Sequence, residues 1–104
     1  MPGEALIALA QWAGQTVVSA ADTDLWEVLQ GRLARLLGGG DALKSQVAEE
    51  RLAETRRALT APGPDPGARD VLAELWAARF ADLLDEDPGI ASELRALMSV
   101  TPEN

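Results

Sequence analysis

The chain has no histidine, no cysteine and no tyrosine among its 104 residues. Those side chains carry most of the proton transfer, nucleophilic attack and soft-metal binding that proteins perform near neutral pH. Without cysteine there is neither a disulfide nor a thiolate metal site, and the redox compartment leaves no trace in the composition. Catalysis would fall to Asp, Glu, Lys, Arg, Ser and Thr. No spacing in the sequence gathers these into a nucleophile with its base. Aromatic residues are also few, three Trp and one Phe, which limits the large side chains available for a core.

Positive charge is scarce. Nine Lys and Arg face 17 Asp and Glu, a formal net charge of −8, and a single lysine, Lys44, leaves arginine to supply the rest. That balance opposes nonspecific nucleic-acid binding, which depends on basic residues neutralising phosphates, and it opposes anionic membrane surfaces. Long hydrophobic runs are missing too. The apolar stretch at residues 5–21 is interrupted by Gln11, Gln15, Thr16 and Ser19, and Glu4 stands before it with no basic residue. It therefore reads as neither a bilayer span nor a secretory signal. The expectation is a cytoplasmic protein with no nucleic-acid or membrane partner.

What is present is helical periodicity. The length suits one domain, expected over residues 1–98 with a frayed tail at 99–104. A first helix is predicted over residues 4–20, with Leu6, Leu9, Ala10, Ala13 and Val17 on one face and Ile7 and Val18 flanking it. Gly14 weakens that helix but lets another approach closely. Asp24 and Glu27 have capping-box spacing, so a second helix is predicted over 25–37; an unbroken helix through this point is the alternative. Its stripe is Leu25, Leu29, Leu33 and Leu36, with Trp26 beside it.

Gly38, Gly39 and Gly40 end that helix, and Asp41 is a natural N-cap for a third over 42–59. This third helix has only Leu43, Val47, Leu52 and Leu59 as large hydrophobes, set among many charges. Arg51–Glu54 and Glu54–Arg57 are spaced to pair. It reads as a solvated outer helix, with a partly exposed partner-binding helix as the alternative. Residues 60–67, with three Pro and two Gly, form a loop. A fourth helix follows over 68–84, with Leu72, Leu75, Trp76, Phe80 and Leu83 on its apolar face. A fifth runs over 88–98, capped by Asp87 ahead of Pro88. The fold class is all-α: a bundle of four to five helices without β-sheet, helices two and four central and helix three more exposed.

Two stretches resemble chemical sites. Asp82, Asp85, Glu86 and Asp87 are close enough to suit a divalent cation, but the alternating acids, glycine and terminal glutamate of an EF-hand loop are absent. They read instead as a solvated helix end that continues into the next N-cap. The run Gly38-Gly39-Gly40-Asp41 lacks the preceding strand and the GK[ST] of a phosphate loop, and Lys44-Ser45 lies at the wrong spacing. No metal and no cofactor are expected. Trp26 and Trp76 sit on apolar stripes and belong in the core, whereas Trp12 lies off the stripe of its helix. The apolar surface of the first helix looks larger than so small a bundle needs. Trp12, Ile7 and Val18 are therefore the candidate partner-binding residues.

Three stretches carry a resemblance. They are Asp24-Leu25-Trp26-Glu27 opening a Leu/Arg-rich helix, the Glu/Arg-rich third helix, and Trp76, Phe80, Leu83 and Leu84 leading to Asp87-Pro88-Gly89-Ile90-Ala91-Ser92-Glu93-Leu94-Arg95. From Leu25 to Met98 the chain resembles small actinobacterial, Streptomyces-like helical proteins and N-terminal helical modules of uncharacterised function. The resemblance implies an intracellular bacterial setting and an adaptor-like role. The function expected is a non-catalytic protein–protein interaction or oligomerisation module. Two alternatives stand beside it. One is a structural subunit of a larger assembly. The other is a small acidic, antitoxin-like regulator of a basic partner, since residues 62–104 hold nine acids against three arginines.

Overall fold

Glycine dictates the turn that follows residue 38. Gly39 and Gly40 have φ of 58° and 92°, conformations that a side chain disfavours. The Gly39 N–H closes the preceding helix on the Arg35 and Leu36 carbonyls. Asp41 then opens the next helix as expected, its carboxylate accepting from the Leu43 and Lys44 N–H groups at 2.9 and 3.3 Å. In the computed structural model, which describes residues 2–61, 63 and 67–99, five α-helices result. They are α1 Pro2–Ala20, α2 Trp26–Gly38, α3 Ala42–Thr60, α4 Ala68–Glu86 and α5 Ala91–Ser99, with a single 3₁₀ turn, Pro88–Ile90, leading into α5. No strand occurs among the described residues. The expected tail beyond Ser99 and most of the expected 60–67 loop lie outside them.

α1 and α2 are separate helices. Between them a turn is held by the Thr23 N–H on the Ala20 carbonyl and the Trp26 N–H on the Thr23 carbonyl. The capping box expected from Asp24 and Glu27 does not form. Leu25 occupies the cap position in a helical conformation, with no side-chain hydrogen bond to the cap. On the other side of the turn, Arg56 of α3 donates to the Ala21 carbonyl at 3.1 Å, just past the end of α1.

α1 packs chiefly on α4 and α2 on α3, while α5 closes the bundle against α1 and α2. Small residues decide the first pairing. A Cβ added at Gly14 would lie 2.5 Å from the Ala73 carbonyl oxygen and 2.8 Å from the Ala77 backbone nitrogen. The two backbones thus touch, as the glycine allowed. This seam places α1 at the centre beside α4, a correction to the expectation that α2 and α4 would hold that position. The core is a single cluster running from Leu9, Ala13 and Val17 through Trp26 and Leu33 to Trp76, Phe80, Leu84, Leu94 and Met98. α3 contributes only Ala48, Leu52 and Thr55 to the buried set, so it is the exposed helix foreseen.

Candidate functional site

The residues singled out on α1 do not form one surface. Ile7 is 53% exposed, but Val18 is buried at 4% and has no surface to offer a partner. Trp12 is half-buried and packs against the core cluster. It lies about 1.4 turns from Ile7, so the two point to different sides of the helix. The expectation for Val18 is corrected for a physical reason. α4 lies along α1, with its first turns beside Val18, and takes up the apolar surface that looked surplus.

Exposed apolar surface concentrates elsewhere. Of the six large hydrophobic residues exposed among the described residues, four lie on α3 and α4: Leu43, Val47, Val71 and Leu75. Leu43 and Val47 are one helical turn apart, 74% and 45% exposed, on the rim of a groove of about 500 Å³ between α3 and α4. Leu37, Ala48, Trp76 and Leu83 complete its apolar lining, and Lys44, Arg51, Arg79, Asp82 and Glu86 its charged one. The groove exists because α3 divides its hydrophobes. Leu52 is fully buried, while Leu43 lies about two and a half turns away and points to the other side. That two-sided pattern on α3 was the signal in the sequence for an apolar surface outside the core.

A hydrogen-bonded floor supports the groove. The Trp76 Nε1–H donates to the Thr55 hydroxyl at 2.8 Å, and that hydroxyl donates in turn to the Arg51 carbonyl at 3.1 Å. Trp76 and Phe80 stack at a tilt, 5.8 Å between ring centroids. The Arg79 guanidinium lies over the Trp76 ring at 4.9 Å. Burial lowers the Arg79 pKa from its ordinary value, and the like charge of Arg51 lowers it further, while Glu54 acts in the opposite sense. Arginine still stays charged at neutral pH. Two guanidinium groups therefore stand together, one of them partly desolvated. Among the described residues neither has a carboxylate within salt-bridge distance, the one ion pair being Arg69–Asp22 at 3.7 Å. The Arg51–Glu54 and Glu54–Arg57 pairs anticipated from spacing do not close.

The acidic stretch divides between two roles. Asp82 and Glu86 stand at the groove, and the Asp87 carboxylate accepts from the Gly89 N–H at 3.2 Å, capping the 3₁₀ turn. Among the described residues, no three His, Cys, Asp or Glu side chains group so as to hold a metal ion. No helix among them is long and apolar enough to cross a membrane. Comparison with protein-family models, with curated proteins and with solved structures gives no match.

Proposed function

We propose that the chain is a non-catalytic helical module that works by protein–protein contact in the cytoplasm, with the α3–α4 groove as its docking surface. One observation carries the reading. Leu43 and Val47 are held in water beside an apolar groove instead of being turned inward, although the same helix buries Leu52 completely. Contiguous apolar surface of this kind, rimmed by charge, is what binding sites for helices and other proteins present. The lack of His, Cys and Tyr supports a role without bond-making chemistry. An adaptor-like role agrees with the resemblance to small actinobacterial helical modules. The docking surface moves from α1 to the groove because α4 covers the apolar side of α1.

Site-specific photo-crosslinking tests the proposal. A photo-reactive side chain introduced at position 43 should trap a defined protein, a second copy of this chain included. The same probe at position 95, exposed on α5, should trap none. Equal labelling at both positions, or no adduct at position 43, rules the docking reading out.

A further inference from the structure

α2 and α3 pack chiefly on each other and form a stiff hairpin. At its tip, Gly38 lies so close to Ser45 that an added Cβ would stand 2.8 Å from the Ser45 backbone nitrogen. Further down, the Gln30 Nε2–H donates to the Glu49 carbonyl at 2.9 Å. The rest of the protomer has its own tight seam, where Gly14 meets Ala73 and Ala77. Hydrogen bonds tie the hairpin to it at the base, where the chain enters α2 and leaves α3. There Trp76 Nε1 donates to the Thr55 hydroxyl at 2.8 Å, and Arg56 Nε to the Ala21 carbonyl at 3.1 Å. Among the described residues, no hydrogen bond or ion pair joins residues 31–50 of the hairpin to α1, α4 or α5. Burial thins in the same direction. Trp26, Leu29, Leu33 and Leu52 are almost fully buried, whereas Leu36 and Leu37 are half-buried and Leu43 and Val47 exposed. Open space lies beside both helices of the tip. One is the groove of about 500 Å³ along α3, the other a cleft of about 450 Å³ between Leu36, Gly39 and Gly40 and the Ile90, Glu93 and Leu97 side of α5.

We propose that the α2–α3 hairpin is a rigid jaw that pivots about its base, widening or narrowing the α3–α4 groove at the Leu43 end. Close-packed bodies joined at one end, with loose packing at the other, move by hinging. Displacing the tip breaks no hydrogen bond seen between the hairpin and α4 or α5. Its cost falls mainly on the half-covered Leu36 and Leu37, since Leu43 and Val47 already stand in water. Two tendencies oppose each other across the groove. The like charges of Arg51 and Arg79 favour separation. Leu43, Val47 and Leu83 favour closure, which removes apolar surface from water. The motion sets the width of the docking groove proposed above, and a partner seated on Leu43 would select one width from the range. The pivot itself does not depend on that docking role.

The chain has no cysteine of its own, so nitroxide labels can be placed in pairs and their separations read by pulsed double electron–electron resonance. Three pairs at exposed positions decide the matter. Gln46→Cys with Asp85→Cys spans the groove near the tip. Arg57→Cys with Glu74→Cys spans the base, and Glu27→Cys with Gln46→Cys lies within the hairpin. The tip pair should give a distance distribution at least about twice as wide as either of the others. Far-ultraviolet circular dichroism establishes that each labelled variant keeps its helices. A tip distribution as narrow as the base one overturns the proposal. A hairpin pair as broad as the tip pair also overturns it, because α3 is then fraying by itself. So does an equally broad base pair, because the hairpin is then detaching as a whole. A narrow tip together with a position-43 adduct removes the pivot and leaves the docking role standing. A broad tip without the adduct keeps the pivot and removes the docking role.

Discussion

Two flanks of α4 meet their neighbours in opposite ways. Toward α1, Ala73 and Ala77 lie against Gly14 so closely that there is no room for one more carbon atom. Toward α3, Trp76 and Arg79 stand off behind a groove of about 500 Å³. Small residues bring backbones together and leave nothing for a partner, whereas large and charged residues hold helices apart and keep a surface open. Stability therefore concentrates on the α1 side and available contact on the α3 side. A helix with a strongly apolar sequence, α1, is for that reason a poor guide to docking.

The largest effect should come from filling the tight seam. Gly14→Val places side-chain carbons where the Ala73 carbonyl and the Ala77 backbone stand, and no rotamer moves backbone aside. We expect a loss of about 3 kcal/mol in chemical denaturation, at the upper end for overpacking. Retained stability would show that the helices slide apart freely and that the seam is not the rigid half of the molecule. Thr55→Val tests the floor of the open side. It keeps the shape of the side chain but removes the hydroxyl that receives the buried Trp76 N–H, at a cost of about 2 kcal/mol. In a Trp76→Phe background the same change should cost at least about 1 kcal/mol less, because the donor has already gone. Equal losses in both backgrounds would mean that the hydrogen bond contributes nothing. Trp26 offers a natural contrast, since its buried Nε1 has no hydrogen-bond partner among the described residues.

Much of the fold was legible because it rests on local rules. The 3.6-residue period placed all five helices. The glycine triplet and the Asp41 cap fixed the α2–α3 turn through chemistry confined to a few residues. The Asp24–Glu27 box did not form, because Leu25, already in a helical conformation, and not Asp24 holds the cap position of α2. The face of α4 was read partly wrongly for a related reason. Leu75 fits the expected stripe yet is exposed, while Ala73 and Ala77 approach α1 because their small size suits Gly14. Alanine carries almost no hydropathic signal, so a contact made through it is invisible to periodicity. The candidate site suffered from the same blindness. An apolar residue on α1 and one on α3 look alike in sequence, and only pairwise packing tells Val18, covered by α4, from Leu43, covered by nothing.

Away from the seam the same chemistry should reverse sign. Gly31 is in the middle of α2, and a Cβ there meets nothing within 4 Å. Gly31→Ala should therefore stabilise the protein by about 0.5–1 kcal/mol, the ordinary gain of alanine over glycine in a helix. A loss at this site would show that α2 has a neighbour where open space is seen.

The smallest effect is the most discriminating for function. Leu43→Gln exchanges one good helix former for another at a residue 74% exposed, so the folding free energy should change by no more than about 0.5 kcal/mol. Leucine in water at such a position contributes little to the fold. Thermal and denaturant unfolding of this variant decide the matter. A loss above about 1 kcal/mol would mean that Leu43 closes over the groove in solution and belongs to the core. The contrast between a sealed α1 flank and an open α3 flank would then collapse, and with it the case for docking there. An unchanged midpoint keeps the contrast intact and leaves Leu43 free of any part in the core, as the proposed docking role requires.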